Sequence, residues 1–281
     1  MYFKDNKIFI DAELYYTVTR RGKRVIFASC KELKTLQRHF LNAIRWSYNL
    51  NLSTLDCAKV HTGKKWILKM DIKDFYNSVP SSAIQKFLLK VCSNIKYANV
   101  GYYYRLVTLY DRLPTGAPTS AHIANACFEP IEKQIKNACQ IYDVTFSKYM
   151  DDLTFSSNSK DALKIIEQRV ENLLAVNGYQ INKHKTKYIS DNKRQEILGI
   201  VVNDKSPRLS KELKRKIRSM LFKLAESISP TIITSINDCV NEKQVRGYIS
   251  YVKSVDKPYY DKLCKYNKKL IKQFKLDKLE I

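Results

Sequence analysis

The chain has 281 residues, 44% of them apolar, which is room for one large or two modest domains with a buried core. It carries 50 Lys and Arg against 27 Asp and Glu, and the resulting formal charge of +23 points to a polyanionic partner. Only 7 Gly and 7 Pro exclude collagen-like and linker-rich chains, and no apolar run approaches the roughly 18 residues of a membrane span. The first residues lack a signal-peptide pattern, so a soluble cytoplasmic protein with no membrane partner is expected. The 7 cysteines are scattered, with no C-x-x-C spacing, which argues against a zinc finger and fits reduced thiols.

In chain order, residues 15–28 are predicted as a strand hairpin (Tyr15, Val18, then Val25-Ile26-Phe27) turning at Arg20-Arg21-Gly22-Lys23. Residues 31–49 read as a helix with Leu33, Leu36, Phe40 and Ile44 on one face. Trp66 to Ile72 alternates as a strand, with Trp66, Leu68 and Met70 on one side and Ile67, Lys69 and Asp71 on the other. Residues 142–156 alternate twice around Tyr149-Met150-Asp151-Asp152, a hairpin with two carboxylates at its tip. An amphipathic helix over 160–177 uses Leu163, Ile166, Val170 and Leu173, starts at the cap Ser159 and stops at Gly178. Residues 197–202 read as one buried strand. Ser210 caps a further helix with Leu213, Ile217, Leu221 and Leu224 inward and Lys211, Lys214, Arg215, Lys216 and Arg218 outward. Strands followed by helices argue an α+β fold.

Asp71 at a strand end and Asp151 at a hairpin tip are poor neighbours unless a cation lies between them. A hard divalent cation with oxygen ligands, most simply Mg2+, resolves the repulsion. Two such ions about 3.5–4 Å apart clamp an in-line phosphoryl transfer. Taken alone, the same residues also read as an acidic turn and a strand-end cap.

The flanking pattern decides between these. Tyr149-Met150-Asp151-Asp152, preceded by Asp71-Ile72-Lys73-Asp74-Phe75-Tyr76, resembles motifs C and A of reverse transcriptases. Gly22-Lys23-Arg24-Val25-Ile26 with Glu32 to Arg38 is similar to the fingers block, and Leu113-Pro114-Thr115-Gly116-Ala117-Pro118-Thr119-Ser120 to motif B. Gly178 to Thr186 resembles motif D, Ile197-Leu198-Gly199-Ile200 the primer grip, and Arg246-Gly247-Tyr248-Ile249-Ser250-Tyr251-Val252 a thumb helix. Size and spacing are most similar to bacterial retron reverse transcriptases. Two of that group's hallmarks are altered: Cys57-Ala58-Lys59-Val60-His61 stands where Asn-Ala-x-x-His is usual, and Ile197-Leu198-Gly199 where Val-Thr-Gly is usual.

The resemblance implies a right-hand polymerase, with an antiparallel palm sheet carrying the catalytic carboxylates and a helical thumb. Fingers are expected over 1–56, palm over 57–203 with a fingers insertion near 80–115, and a basic thumb over 204–281. Asp71, Asp151, Asp152 and Lys185 are the implied catalytic residues, with Lys183 the nearest competitor of Lys185 for protonating or neutralising departing pyrophosphate. Two Mg2+ ions, replaceable by Mn2+, are assigned to Asp71, Ile72, Asp151 and Asp152. For the dNTP the resemblance assigns Arg24, with Arg21 or Arg20 a second contact, together with Tyr76, Thr115 and Gly116. A ring at Tyr76 stacks under the sugar and clashes with a 2′-hydroxyl. Lys211, Lys214, Arg215, Arg218 and His61 are the candidate RNA contacts, with the Lys-rich tail and its interleaved tyrosines adding to the surface.

Further expectations follow for partners. A structured non-coding RNA serves as primer and template, a 2′-hydroxyl of an internal guanosine primes branched DNA (msDNA), and an effector protein joins it in phage defence. Another defence-associated or abortive-infection reverse transcriptase, protein-primed or untemplated, stays open. So does a non-catalytic RNA-binding scaffold, against which the intact Asp71, Asp151 and Asp152 argue.

Overall fold

The computed structural model describes residues 2–4, 6–10, 13–22, 24–44, 53–93, 99–226 and 241–273. The chain divides into two compact units, one of Met1–Leu52 with Leu68–Tyr188, the other of Ser53–Ile67 with Ile189–Ile281. The expected boundaries at 56/57 and 203/204 therefore fall inside the second unit.

The first unit opens with a four-stranded antiparallel meander, β1 (Tyr2–Lys4), β2 (Lys7–Phe9), β3 (Tyr15–Arg21) and β4 (Arg24–Ser29). Arg21 pairs with Arg24, so the turn is two residues with Gly22 at φ +59, and Arg20 and Arg21 belong to the strand rather than the turn. Helix α1 (Lys31–Ile44) buries Leu33, Gln37, Phe40 and Ile44. The expected Leu36 is exposed, and the expected helix end at 49 lies outside the described residues. Gln37 is fully satisfied: it donates to Tyr16 Oη (3.0 Å) and to the Leu106 carbonyl (2.9 Å) and accepts from Ser29 Oγ (2.8 Å).

The second sheet of this unit has the order β6 (Thr145–Tyr149), β7 (Asp152–Ser157), β5 (Trp66–Asp71), β8 (Lys187–Ser190). As a central strand, β5 is covered on both faces. The two expected faces, Leu68 and Met70 on one and Ile67 and Asp71 on the other, are both buried. Phe146 and Phe155 face each other across β6 and β7, their rings stacked at 4.9 Å. The span 80–115 contains α4 (Ser81–Cys92) and α5 (Val100–Val107). A 22-residue helix unforeseen in the sequence, α6 (Ser120–Ile141), packs beside β6 and α7 (Lys160–Val176). Ser159 Oγ caps α7 by accepting from Ala162 N–H, and Gly178 follows it at φ +82, as expected. Its inward residue is Leu174 rather than Leu173.

The second unit is built on one apolar cluster. Ala58 of α2 (Thr54–Lys59) and Ile67 join Ile200, Val202 and Leu209 with the inner faces of α8 (Lys211–Glu226), α9 (Glu242–Val255), α10 (Lys257–Tyr266) and α11 (Lys268–Gln273). This shared burial is why residues 53–67 group with the helices that follow residue 189. The expected single strand over 197–202 is instead a hairpin, β9 (Glu196–Ile197) and β10 (Ile200–Val201). Leu198 (φ +49) and Gly199 (φ +83) turn it, and β11 (Arg208–Leu209) completes the sheet. Among the described residues no helix is long and apolar enough to cross a membrane.

Candidate active site and nucleic-acid surface

Strand β5 ends at Asp71, whose side chain is nearly buried. The next residue, Ile72, donates its N–H to the Asp151 carbonyl at 3.0 Å. Asp151 is the second loop residue of the β6–β7 hairpin, whose first, Met150, takes φ +55, and Tyr149 pairs with Asp152 across the hairpin. The tip is thus fastened by its backbone to the end of β5. The motif D segment docks on the same end. Asn182 N–H donates to the Asp71 carbonyl and Lys73 N–H to the Gln180 carbonyl, each at 2.8 Å. A single 3-10 turn, Lys183–Lys185, then brings Lys185 Nζ to 2.8 Å from Asp71 Oδ1. Lys183 turns away to Glu171 at 3.5 Å. Geometry separates the two candidate lysines that sequence left in competition.

Burial, then the charges of Asp151 and Asp71, push the Asp152 carboxyl above its usual range, partly offset by Lys69 and Lys185. Such crowding of carboxylate oxygens favours a hard divalent cation, and the donor set of Asp71, Asp151 and Asp152 fits one. Ile72, 1% exposed, can add only a backbone oxygen. Among the described residues, no group of three or more His, Cys, Asp and Glu side chains is gathered closely enough to hold a metal ion.

Tyr76 lies in the short helix α3 (Phe75–Ser78), its ring 5.8 Å from that of Phe75. Burial, then the charge of Asp151, raise its phenol pKa. Thr115 and Gly116 lie in the loop that leads into α6. Phe27 N–H donates to the Thr115 carbonyl at 2.7 Å. Gly116 has φ +114, and a Cβ there would meet Ile26 Cγ2 at 2.8 Å and the Phe27 carbonyl oxygen at 3.0 Å. The close approach that glycine permits is therefore to β4 of its own chain. Arg21 is exposed at the end of β3, while the side chain of Arg24 lies outside the described residues.

Two of the expected RNA contacts are corrected. His61 is fully buried, and burial, then Lys64, push its pKa down to about 3, so it is neutral and out of reach of a phosphate. Lys214 is engaged inward: its Nζ lies 2.7 Å from Asp256 Oδ2, a fully buried carboxylate, and 4.7 Å from the Tyr259 ring centroid. Asp256 also accepts from Leu209 N–H (3.1 Å) and Tyr259 N–H (3.2 Å). Burial alone would raise its pKa, but Lys214 and these N–H groups hold it below the usual carboxylate range. Asp256, which no motif marks, is the polar hub joining β11, α8 and α10. Lys211, Arg215 and Arg218 remain exposed on α8, and Lys216 donates to Tyr248 Oη at 2.7 Å.

Comparison with known proteins follows the same lines. Residues 20–202 match the family model described as reverse transcriptase (RNA-dependent DNA polymerase). The retron Ec83 reverse transcriptase of Escherichia coli is 26% identical, the alignment covering 92% of this chain and 88% of that protein. The retron Ec86 reverse transcriptase of Escherichia coli is 25% identical over 92% of this chain and 81% of its own. The retron Mx65 enzyme of Myxococcus xanthus is 24% identical over 88% and 62%. Among solved structures, a foamy viral protease-reverse transcriptase in complex with double-stranded DNA superposes with a TM-score of 0.51 at 14% identity, over 85% of this chain and 35% of that one. Apo telomerase from Candida tropicalis gives 0.50 at 12% identity, over 69% of this chain and 55% of its own. These two share the fold, and this chain spans about a third and about half of them. With the carboxylates of motifs A and C joined at one strand end and the family model covering most of the chain, this protein belongs to the reverse transcriptases and is an RNA-directed DNA polymerase of retron type.

Proposed function

We propose that the protein copies a dedicated structured non-coding RNA, which serves as both primer and template, into branched single-stranded DNA from an internal 2′-hydroxyl. The observation that carries the reading is the meeting of Asp71, Asp151, Asp152 and Lys185 at one strand end, in a chain whose relatives over most of its length are retron enzymes.

In this reading Asp71, Asp151 and Asp152 hold two Mg2+ ions, replaceable by Mn2+, with the Ile72 carbonyl as an added donor. Held by these carboxylates, such ions would supply Lewis-acid activation of the primer hydroxyl and charge stabilisation of the leaving pyrophosphate. Lys185, already in the site, gives a proton to the pyrophosphate oxygen or neutralises its charge. Tyr76 excludes the 2′-hydroxyl of a ribonucleotide. Arg24, with Arg20 or Arg21, grips the triphosphate, and the Thr115–Gly116 loop, held on β4, floors the templating pair. Lys211, Arg215 and Arg218 supply charge to the RNA backbone. We also assign the protein a cytoplasmic role in phage defence, beside an effector protein.

Purification from the native host, followed by sequencing of the copurifying nucleic acid, tests this. A single abundant RNA joined through a 2′–5′ branch to a DNA copy of itself supports the proposal. A DNA lacking any RNA template, or one linked to protein, would overturn it.

A further inference from the structure

We infer that Asn125 is a positioning residue for the catalytic hairpin, holding Met150, and through it Asp151, from beneath. Lys148 of β6 is nearly buried (6% side-chain exposure), so its charge needs partners. It finds them on one stripe of α6: Nζ donates to Asn125 Oδ1 at 2.5 Å, lies 5.3 Å from the Phe128 ring centroid and 3.6 Å from Glu132 Oε2. These residues sit at i, i+3 and i+7, one face of the helix. The Phe75 ring, four residues past Asp71, also lies under the ammonium at 5.8 Å.

An ammonium can only donate, so the carboxamide oxygen of Asn125 must face Lys148 and its NH2 must face the other way. There it meets Met150 Sδ at 3.3 Å. Met150 is the one residue of the tip loop with positive φ, a conformation that a side chain disfavours and that neighbouring contacts must hold. The chain of contacts runs Glu132, Lys148, Asn125, Met150, and the next residue is Asp151. The inference rests on the polymerase reading of Asp151 and Asp152, and its test carries a readout independent of that reading.

Asn125→Asp keeps the acceptor for Lys148, now charge-assisted, and removes the donor to Met150. Asn125→Leu removes both. For Asn125→Asp we expect unchanged melting temperature and RNA affinity, a kcat lower by about ten- to a hundredfold, and a dNTP KM within about twofold. In metal-free protein, hydrogen exchange at residues 149–152 should quicken while α6 and α7 stay protected. A double-mutant cycle with Met150→Leu should be non-additive in kcat. Wild-type kcat and tip exchange in Asn125→Asp would overturn the inference. So would losses in Asn125→Leu that merely track its melting temperature. Slow exchange of the tip with lost activity in both variants would equally contradict it, because the hairpin would then be held without Asn125.

Discussion

Lys185 Nζ lies 2.8 Å from Asp71 Oδ1, across 114 residues of sequence. The pair joins the cation of motif D to the carboxylate of motif A. At 48% side-chain exposure Lys185 is half open to solvent while it holds Asp71.

Replacing Lys185 with Ala should lower the single-nucleotide incorporation rate by about 10²-fold or more, as loss of a general acid does. RNA affinity should not change, and Lys185→Arg should recover charge without recovering full rate. Rapid-quench incorporation on a saturating primer–template measures this. Equal rates for wild type and Lys185→Ala would leave Lys185 as a mere counter-charge for Asp71.

Tyr76→Val should admit ribonucleotides, reducing the dNTP over rNTP preference by at least about tenfold. Tyr76→Phe should not, because the ring and not the hydroxyl fills the space under the sugar. The ratio of kcat/KM values for a dNTP and its ribo-analogue is the measurement. An unchanged ratio in Tyr76→Val would return the residue to packing against Phe75.

The cations of α8 divide into two classes. Changing Lys211, Arg215 and Arg218 together to Gln should leave stability unchanged and lower the salt slope of RNA binding by about 1 for each phosphate no longer neutralised. Lys214→Met should instead cost about 1–3 kcal/mol, because it takes the nearest cation from buried Asp256 and leaves it only Arg208 Nη1, at 3.5 Å, and the Leu209 and Tyr259 N–H groups. Denaturant unfolding and salt-dependent RNA binding separate the two. Folding of Lys214→Met as stable as wild type would refute the hub.

His61 carries a pH dependence. Its pKa is about 3 when folded and near 6.5 unfolded, so the unfolded chain binds the extra proton between these values. The stabilisation is present above about pH 6.5 and is lost as pH falls toward 3, reaching about 2 kcal/mol by pH 5. His61→Gln should flatten this part of the stability curve. Parallel curves for variant and wild type would show that His61 does not titrate between the two states.

Much of this was legible in sequence, and what was not has identifiable causes. The hairpin carrying Asp151 and the capped helix after Ser159 stand on local rules: alternation, a serine cap and a terminating glycine. Gln37 escaped because apolar periodicity favours Leu36, while the core at that position needed an amide to satisfy Tyr16, Ser29 and the Leu106 carbonyl. Leu198-Gly199 looked like part of an apolar run, yet it is the turn of a two-residue hairpin. Lys214 sat among outward lysines on the helical wheel, and only the distant Asp256 draws it in. Cys57, Ala58 and Ile197, near the altered retron hallmarks, are all buried, in positions that local pattern does not reveal.

The central claim is that Asp71, Asp151 and Asp152 form the metal-dependent polymerase site while RNA is held elsewhere. Primer extension with dNTPs and Mg2+ by Asp151→Ala/Asp152→Ala, run beside RNA binding by the same protein, tests it most directly. DNA synthesis should be abolished and RNA affinity retained within a few-fold. Continued extension by the double variant would contradict it.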